Sequence, residues 1–170
     1  MLSKTISSQP TLSHNKVDTL SNKAPSFSLL DHLGEQHDLE DYRGSWLIVY
    51  FYPKNDTPGC TTEACSIRDV RIELEGVDTK VIGISPDDRS SHQQFIKKYD
   101  LNFTLLSDDD AVTTKAYGAW GQNQRGSEGV LRKTFIINPN GDISKSYDNV
   151  TPDGHGEEII TDLVELQRFR

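Results

Sequence analysis

Phe51-Tyr-Pro-Lys-Asn-Asp-Thr-Pro-Gly-Cys60-Thr-Thr-Glu-Ala-Cys65 is the stretch that decides the fold, because a buried strand ends in it and a helix begins in it. The apolar run Trp46–Tyr52 is typical of a strand in the core. Thr57 takes the N-cap position and Pro58 the first helical position, where a missing N–H and a fixed φ cost nothing. Cys60 then lies in the first helical turn, where unpaired N–H groups and the helix dipole favour a thiolate.

Both cysteines of the chain, Cys60 and Cys65, stand in this stretch. Two cysteines in 170 residues do not make a disulfide scaffold. Neither has Cys or His partners at ligand spacing, so we predict no metal site and no cofactor. Redox or nucleophilic chemistry remains, with two inert thiols as the alternative.

Composition restricts the class of protein further. With 34% hydrophobic residues the chain is expected to form one domain around one core. A net charge of −8 argues against nucleic acid or an anionic membrane as a partner. Residues 1–16 are rich in Ser and Thr and lack the apolar stretch of a secretory signal. We therefore expect a flexible extension over 1–16, a domain over 17–170 and a cytoplasmic location.

Strand and helix signals alternate along the chain and predict an α/β, thioredoxin-like fold, with a central mixed sheet flanked by helices and an N-terminal hairpin elaboration. The predicted strands are Phe27–Asp31, Gln36–Leu39, Trp46–Tyr52, Lys80–Ser85, Phe103–Ser107, Gly129–Ile137 and Ile143–Tyr147. The predicted helices run over Pro58–Leu74, from Asp88 to Tyr99, from the Asp108 run to Trp120, and over Glu157–Phe169.

Three motifs together resemble the Q-type peroxiredoxins, also called the bacterioferritin comigratory protein group. They are Tyr52-Pro53-Lys54-x-x-Thr57-Pro58-Gly59-Cys60-Thr61-x-Glu63-Ala64-Cys65, Ala24-Pro25-x-Phe27-x-Leu29 and Arg132-x-Thr134-Phe135-x-Ile137. The resemblance implies reduction of hydrogen peroxide or alkyl hydroperoxides with electrons from thioredoxin. Two features depart from it: Asn55 stands where an acidic residue is common, and residues 122–128 differ from the usual loop, which leaves the substrate range open.

The thiolate at Cys60 needs more help than a helix end provides. An ordinary thiol has a pKa of ~8.5 and is mostly protonated at neutral pH. A helix terminus contributes ~0.3–1 kcal/mol and at most about 2. Arg132 is the best second source, because its guanidinium can hold both a thiolate and peroxide oxygens. Only the resemblance brings Arg132 to Cys60; from the residues alone, an exposed strand arginine is the favoured interpretation.

Three further residues have two interpretations each. Thr57 can cap the helix and offer its hydroxyl to a peroxide oxygen. Pro53 can shield the thiolate from water or simply end the strand. Glu63 can orient an arginine or stabilise the helix dipole.

Cys65 is the natural resolving thiol, which would form a disulfide with an oxidised Cys60; the alternative is a small buried apolar residue. Residues i and i+5 of an intact helix have Cα atoms ~8.6 Å apart, whereas disulfides rarely tolerate more than ~7 Å. We therefore predict that the first turns of this helix unwind during each cycle.

Two other classes of protein stay open. A disulfide reductase of the thioredoxin kind normally carries Cys-x-x-Cys, and the four residues between Cys60 and Cys65 argue against it. A redox-sensing or chaperone module would share the switchable helix without peroxide turnover. The chain shows no obvious dimerisation arm, so we expect a monomer.

Overall fold

The computed structural model describes residues 22–123 and 126–168, so the predicted extension over 1–16 lies outside the described residues. The strands are β1 (Ser28–Asp31), β2 (Gln36–Asp38), β3 (Trp46–Phe51), β4 (Thr79–Ser85), β5 (Thr104–Ser107), β6 (Trp120–Gln122), β7 (Glu128–Val130), β8 (Lys133–Ile137) and β9 (Ile143–Tyr147). The helices are α1 (Pro58–Asp69), α2 (Arg71–Gly76), α3 (Arg89–Tyr99), α4 (Val112–Ala116) and α5 (His155–Arg168), with a 3-10 helix over Leu39–Tyr42.

Seven strands form one mixed sheet in the order β2-β1-β5-β4-β3-β8-β9. Strands β3, β4 and β5 run parallel, β8 pairs antiparallel with β3, and β9 pairs antiparallel with β8. At the edge opposite β9, strand β1 pairs antiparallel with β5, and β2 pairs antiparallel with β1 to complete the hairpin. The predicted thioredoxin-like arrangement with an N-terminal hairpin is confirmed.

Strand β3 lies at the centre of the core and is buried along its whole length. Its side chains alternate between the two faces, as a pleated strand requires. Trp46, Ile48 and Tyr50 face a cluster formed with α1, α3 and α5, while Leu47 and Val49 face a second cluster on the other side. Helix α1 follows the carboxyl end of β3, which places Cys60 at that edge of the sheet.

The cysteine helix is shorter than predicted. We expected one helix over Pro58–Leu74, but α1 ends at Asp69 and α2 begins at Arg71. Between them the Val70 N–H donates to the Ile67 carbonyl, three residues back, which tightens the last turn and interrupts the α-helical pattern.

The helix predicted to reach Trp120 ends at Ala116, and Trp120 begins β6 instead. Gly118 has φ +72°. This left-handed backbone conformation ends α-helices, and Gly118 therefore separates α4 from the strand that follows.

The strand predicted over Gly129–Ile137 is two strands in two sheets. Gly129 and Val130 belong to β7, which pairs with β6, and β8 begins only at Lys133. The Leu131 N–H donates to the Ala119 carbonyl, so the chain follows β6 rather than the main sheet up to this point. Arg132 therefore lies in a turn, and its assignment to a strand was wrong.

Candidate active site

Cys60 is the third residue of α1 and its side chain is almost completely buried, with 1% of the residue exposed. It packs in the same cluster as Tyr50, Tyr52 and Ala64. Its Sγ accepts a hydrogen bond from Nη1 of Arg132 over 3.4 Å. The sulfur thus has the positive end of a helix on one side and a guanidinium on the other.

The turn between β7 and β8 brings Arg132 to this position. The Val150 N–H donates to the Arg132 carbonyl over 3.2 Å, which holds the turn against the segment before α5. Thr134 and Ile136 lie on the face of β8 that packs toward α1 and α5, and the Arg132 side chain reaches Cys60 of α1 from just before that strand. The distance from Arg132 to Cys60 makes an exposed strand arginine the wrong interpretation.

Glu63 holds the guanidinium in place. Its carboxylate is completely buried and accepts from Nη1 of Arg132 over 2.7 Å. Burial raises the pKa of Glu63 to about 7, although the neighbouring guanidinium works in the opposite direction. Burial also opposes the charge of Arg132, but Glu63 and Cys60 outweigh it and raise the Arg132 pKa. Of the two interpretations of Glu63, the geometry supports orientation of the arginine.

Gly59 leaves room for this arrangement, and the sequence motif did not explain why. A Cβ at Gly59 would lie 3.1 Å from Nη2 of Arg132 and 3.7 Å from Cγ of Pro152. The guanidinium therefore rests on the backbone of the first turn of α1. The glycine directly before a helix-start cysteine was the signal in the sequence that could have indicated this close approach.

Thr57 occupies the N-cap position of α1, as predicted, and its carbonyl accepts from the Thr61 N–H over 2.8 Å. Its side chain does not cap the helix, so that part of the prediction was wrong. The hydroxyl instead donates to the Lys54 carbonyl over 2.8 Å and closes the loop before the helix. Pro53 is exposed at the start of that loop, just after β3.

Cys65 lies five residues, about 1.4 turns, further along α1. It is a free, partly buried thiol, as Cys60 is a free, buried one. It lines a cleft of about 540 Å³ between α1, α2 and the start of α5. The cleft also carries four carboxylates, Asp69, Glu73, Asp153 and Glu157. Cys65 is therefore open to solvent through this cleft.

Among residues 22–123 and 126–168, no three His, Cys, Asp or Glu side chains are grouped as ligands of a metal ion. In the same part of the chain no helix has both the length and the apolar character needed to cross a membrane.

Comparisons with known proteins show which family this chain resembles. The AhpC/TSA family model matches residues 20–146. A putative peroxiredoxin bcp of Haemophilus influenzae is 42% identical over 151 residues, which covers 87% of this chain and 97% of the relative. The crystal structure of a Cys-to-Ser mutant of Xylella fastidiosa PrxQ superposes with a TM-score of 0.81 at 30% identity, covering 86% and 97% of the two chains. A structure of the Xanthomonas campestris bacterioferritin comigratory protein, studied for alkyl peroxide reduction, gives a TM-score of 0.78 at 31% identity over 82% and 90%.

Proposed function

Since the chain belongs to the AhpC/TSA family and is a peroxiredoxin, a thiol peroxidase that acts on peroxides, we propose that Cys60 is the cysteine that reacts with the peroxide. The observation that carries the proposal is the 3.4 Å hydrogen bond from Arg132 to the Cys60 sulfur. A permanently charged donor at this distance stabilises a thiolate and remains available for the oxygens of a substrate. Cys65 has no such donor among the hydrogen bonds and ion pairs of the described residues.

The first step is attack of the Cys60 thiolate on one oxygen of the hydroperoxide. The O–O bond breaks, the sulfur gains that oxygen and becomes a sulfenic acid, and the other oxygen leaves with the electron pair and takes up a proton as water or an alcohol. Negative charge moves from sulfur to the leaving oxygen, so a donor that reaches both positions lowers the barrier. We assign this role to Arg132.

Thr57 and Pro53, which both precede Cys60 in the chain, complete the proposed site. The Thr57 hydroxyl is bonded to the Lys54 carbonyl, and its lone pairs remain free to accept from a protonated peroxide oxygen. Pro53 is exposed just after β3, and the role we propose for its ring is to limit the access of water to the thiolate.

Cys65 is proposed to resolve the sulfenic acid. Its thiol attacks the Cys60 sulfur, the S–O bond breaks, water leaves, and an intramolecular disulfide forms. Both cysteines belong to the continuous helix α1, where an i, i+5 pair is ~8.6 Å apart between Cα atoms. The first turns of α1 must therefore unwind before this bond can form.

The proposed substrates are hydrogen peroxide and organic hydroperoxides, and the proposed reductant is thioredoxin. Alkyl peroxide reduction by the related Xanthomonas campestris protein supports organic substrates. Two electrons from a dithiol return the disulfide to two thiols, through attack on a sulfur that solvent can reach. Such dithiols keep thiols reduced in the cytoplasm, where we propose that the protein works in cell redox homeostasis and oxidative-stress defence.

Peroxide loss in the presence of a thioredoxin system tests the proposal for the wild type, Cys60→Ser and Cys65→Ser. We expect Cys60→Ser to abolish turnover. Cys65→Ser should consume about one equivalent of peroxide and then stop, because its sulfenic acid has no internal partner. Turnover that persists in Cys60→Ser would contradict the assignment. A wild type that forms the disulfide but does not turn peroxide over would favour the redox-sensing module instead.

A further inference from the structure

A buried polar cluster lies beneath the loop that leads into α1. We call it the Asn55 cluster; its members are Tyr52, Asn55, Asp87, Ser91 and His92. Asn55 is only 7% exposed, although both of its neighbours in the loop are exposed.

Every hydrogen-bonding group of Asn55 other than its carbonyl has a partner from this cluster. Its backbone N–H donates to Asp87 Oδ2 over 2.9 Å, and its side-chain oxygen accepts from the Tyr52 hydroxyl over 2.6 Å. Its amide nitrogen lies 3.0 Å from Ser91 Oγ and 2.9 Å from His92 Nδ1. Asn55 thus connects the end of β3 with the first turn of α3.

The partner of the His92 ring on its other side decides which ring nitrogen carries the proton. Nε2 of His92 lies 3.1 Å from the Leu106 carbonyl oxygen, which can only accept. Nε2 is therefore protonated, and in a neutral ring Nδ1 is an acceptor. The Asn55 amide supplies the donor that Nδ1 needs, whereas a carboxylate at the same position has no proton to give.

Two sets of contacts connect the Asn55 cluster with the surroundings of the Cys60 sulfur. Tyr52 donates to Asn55 and packs in the same core cluster as Cys60. Asn55 also fixes the backbone of the loop two residues before Thr57, whose hydroxyl closes that loop on Lys54. A shift of the Asn55 side chain therefore moves the N-cap and the first turn of α1.

We propose that Asn55 is a positioning residue for the peroxide reaction, which holds the loop before Cys60 by donating a hydrogen bond to the neutral ring of His92. The inference rests on the proposed function of Cys60. It assigns to the amide of Asn55 a task that a carboxylate at this position could perform only if Nδ1 of His92 carried a proton.

The substitution Asn55→Asp makes this dependence visible. With a carboxylate at position 55, His92 must take up a proton at Nδ1 before it can donate to that carboxylate. Burial disfavours the charged ring and lowers the pKa of His92, with His32 acting in the same direction and Asp87 and Asp88 acting against it. The variant should therefore react with peroxide at low pH and lose reactivity as pH rises through the titration of His92, whereas the wild type shows no such loss.

The rate constant of the peroxide step, measured in a single turnover between about pH 5 and 8, is the test. Asn55→Asp should fall at least about tenfold below the wild type at the alkaline end of this range, since small misplacements in an active site have effects of that size. The double variant Asn55→Asp/His92→Asn exchanges donor and acceptor without a titrating ring, so it should regain the pH profile of the wild type. His92→Asn alone is the matched control and should also keep that profile.

The outcomes separate this inference from the proposed function. A wild type without a peroxide step at Cys60 would refute the proposed function. If the wild type is active and Asn55→Asp has the same pH profile, the positioning role is overturned. It is also overturned if the rate constant of Asn55→Asp falls by the same factor at every pH and the double variant does not restore it. Should Asn55→Asp not fold, nitrogen NMR of wild-type His92 decides: we expect the neutral ring to carry its proton at Nε2, and a neutral ring protonated at Nδ1 would contradict the inference.

Discussion

At the scale of single residues, one guanidinium nitrogen serves two acceptors. Nη1 of Arg132 lies 3.4 Å from the Cys60 sulfur and 2.7 Å from Oε1 of Glu63. The Glu63 carboxylate orients the Arg132 guanidinium, but it also partly neutralises the positive charge that acts on the Cys60 sulfur. Because Glu63 is completely buried, its protonation state changes how much of that charge is left for the thiolate. Glu63 is therefore both the support of Arg132 and its competitor.

The pKa of Glu63 makes a prediction for stability. A carboxyl whose pKa rises from 4.5 to about 7 on folding binds its proton more tightly in the folded chain. The stability that it contributes is complete below about pH 4.5 and is lost as pH rises through about 7, an effect of about 3 kcal/mol. Glu63→Gln cannot titrate, so the free energy of unfolding of the wild type should fall relative to this variant across that window. Urea unfolding at several pH values measures the difference, and parallel curves would argue against it.

The substitution Gly59→Ala should affect the stability of the protein and the rate of the peroxide step differently. In Gly59→Ala the new Cβ would press on Nη2 of Arg132 at 3.1 Å, while alanine favours a helix over glycine by about 0.5–1 kcal/mol. We expect unchanged or higher stability with a peroxide step slowed about tenfold or more, as loss of a charge-stabilising donor slows other enzymes.

Gly76→Ala is the matched control, since Gly76 ends α2 and a Cβ there would meet no heavy atom within 4 Å. It should change helix stability without changing the peroxide step. Equal rates for the wild type and Gly59→Ala would show that the guanidinium does not need the space above Gly59.

The sequence predicted which residues the site contains better than it predicted which of them are in contact. The helix-start pattern placed Cys60 in the first turn, and an energetic argument required a second source of charge. It could not place Arg132, because 71 residues separate it from Cys60 and the turn that carries it depends on the pairing of β6 with β7. The hydrogen bond of Thr57 to Lys54 was likewise hidden, since a side chain at an N-cap position has several partners within reach.

At the scale of elements, the two halves of α1 are held differently. In the second half the Ser66 hydroxyl accepts from the Gly156 N–H over 2.8 Å, and Arg68 donates to the Tyr99 carbonyl over 2.6 Å. A Cβ at Gly156 would collide with the backbone of Ser66, so α1 and α5 are in close contact there. The first turn is held mainly through Arg132 and the groups around Cys60. Unwinding should therefore start at Pro58 and stop close to Ser66.

Amide hydrogen exchange tests this prediction over residues 58–67. Exchange should be slow in the reduced protein and faster by at least about tenfold in the disulfide form, because the i, i+5 distance of a helix forbids the bond. Helix α3 serves as the internal control and should exchange equally in both forms. Equal protection over residues 58–67 in the two forms would contradict the unwinding of α1.

Strong local patterns predicted the elements, and long-range pairing changed them. The run of apolar residues in β3 and the N-cap of α3 at Asp88 were recognisable because each carries its own signal. The break between β7 and β8 was not recognisable from the sequence, because it depends on the pairing of Val130 with Trp120 and no turn residue stands at the break.

At the scale of the whole molecule, the residues of the proposed site come from one chain. Cys60 and Glu63 are supplied by α1, Arg132 by the turn before β8, and Asn55 by the loop after β3. A second copy is therefore not needed to complete the set, and we propose that the protein is a monomer. Light scattering should give a mass of about 19.1 kDa for both redox forms. A stable mass of twice that value would contradict the proposal.

The central claim is that peroxide oxidises Cys60, and trapping its sulfenic acid tests it most directly. Cys65→Ser and Cys60→Ser proteins are each treated with one equivalent of hydrogen peroxide in the presence of dimedone, which alkylates sulfenic acids, and the modified residue is located by mass spectrometry. We predict one adduct on Cys60 in Cys65→Ser and none on Cys65 in Cys60→Ser. An adduct on Cys65 in Cys60→Ser, with Cys60 unmodified in Cys65→Ser, would contradict the account.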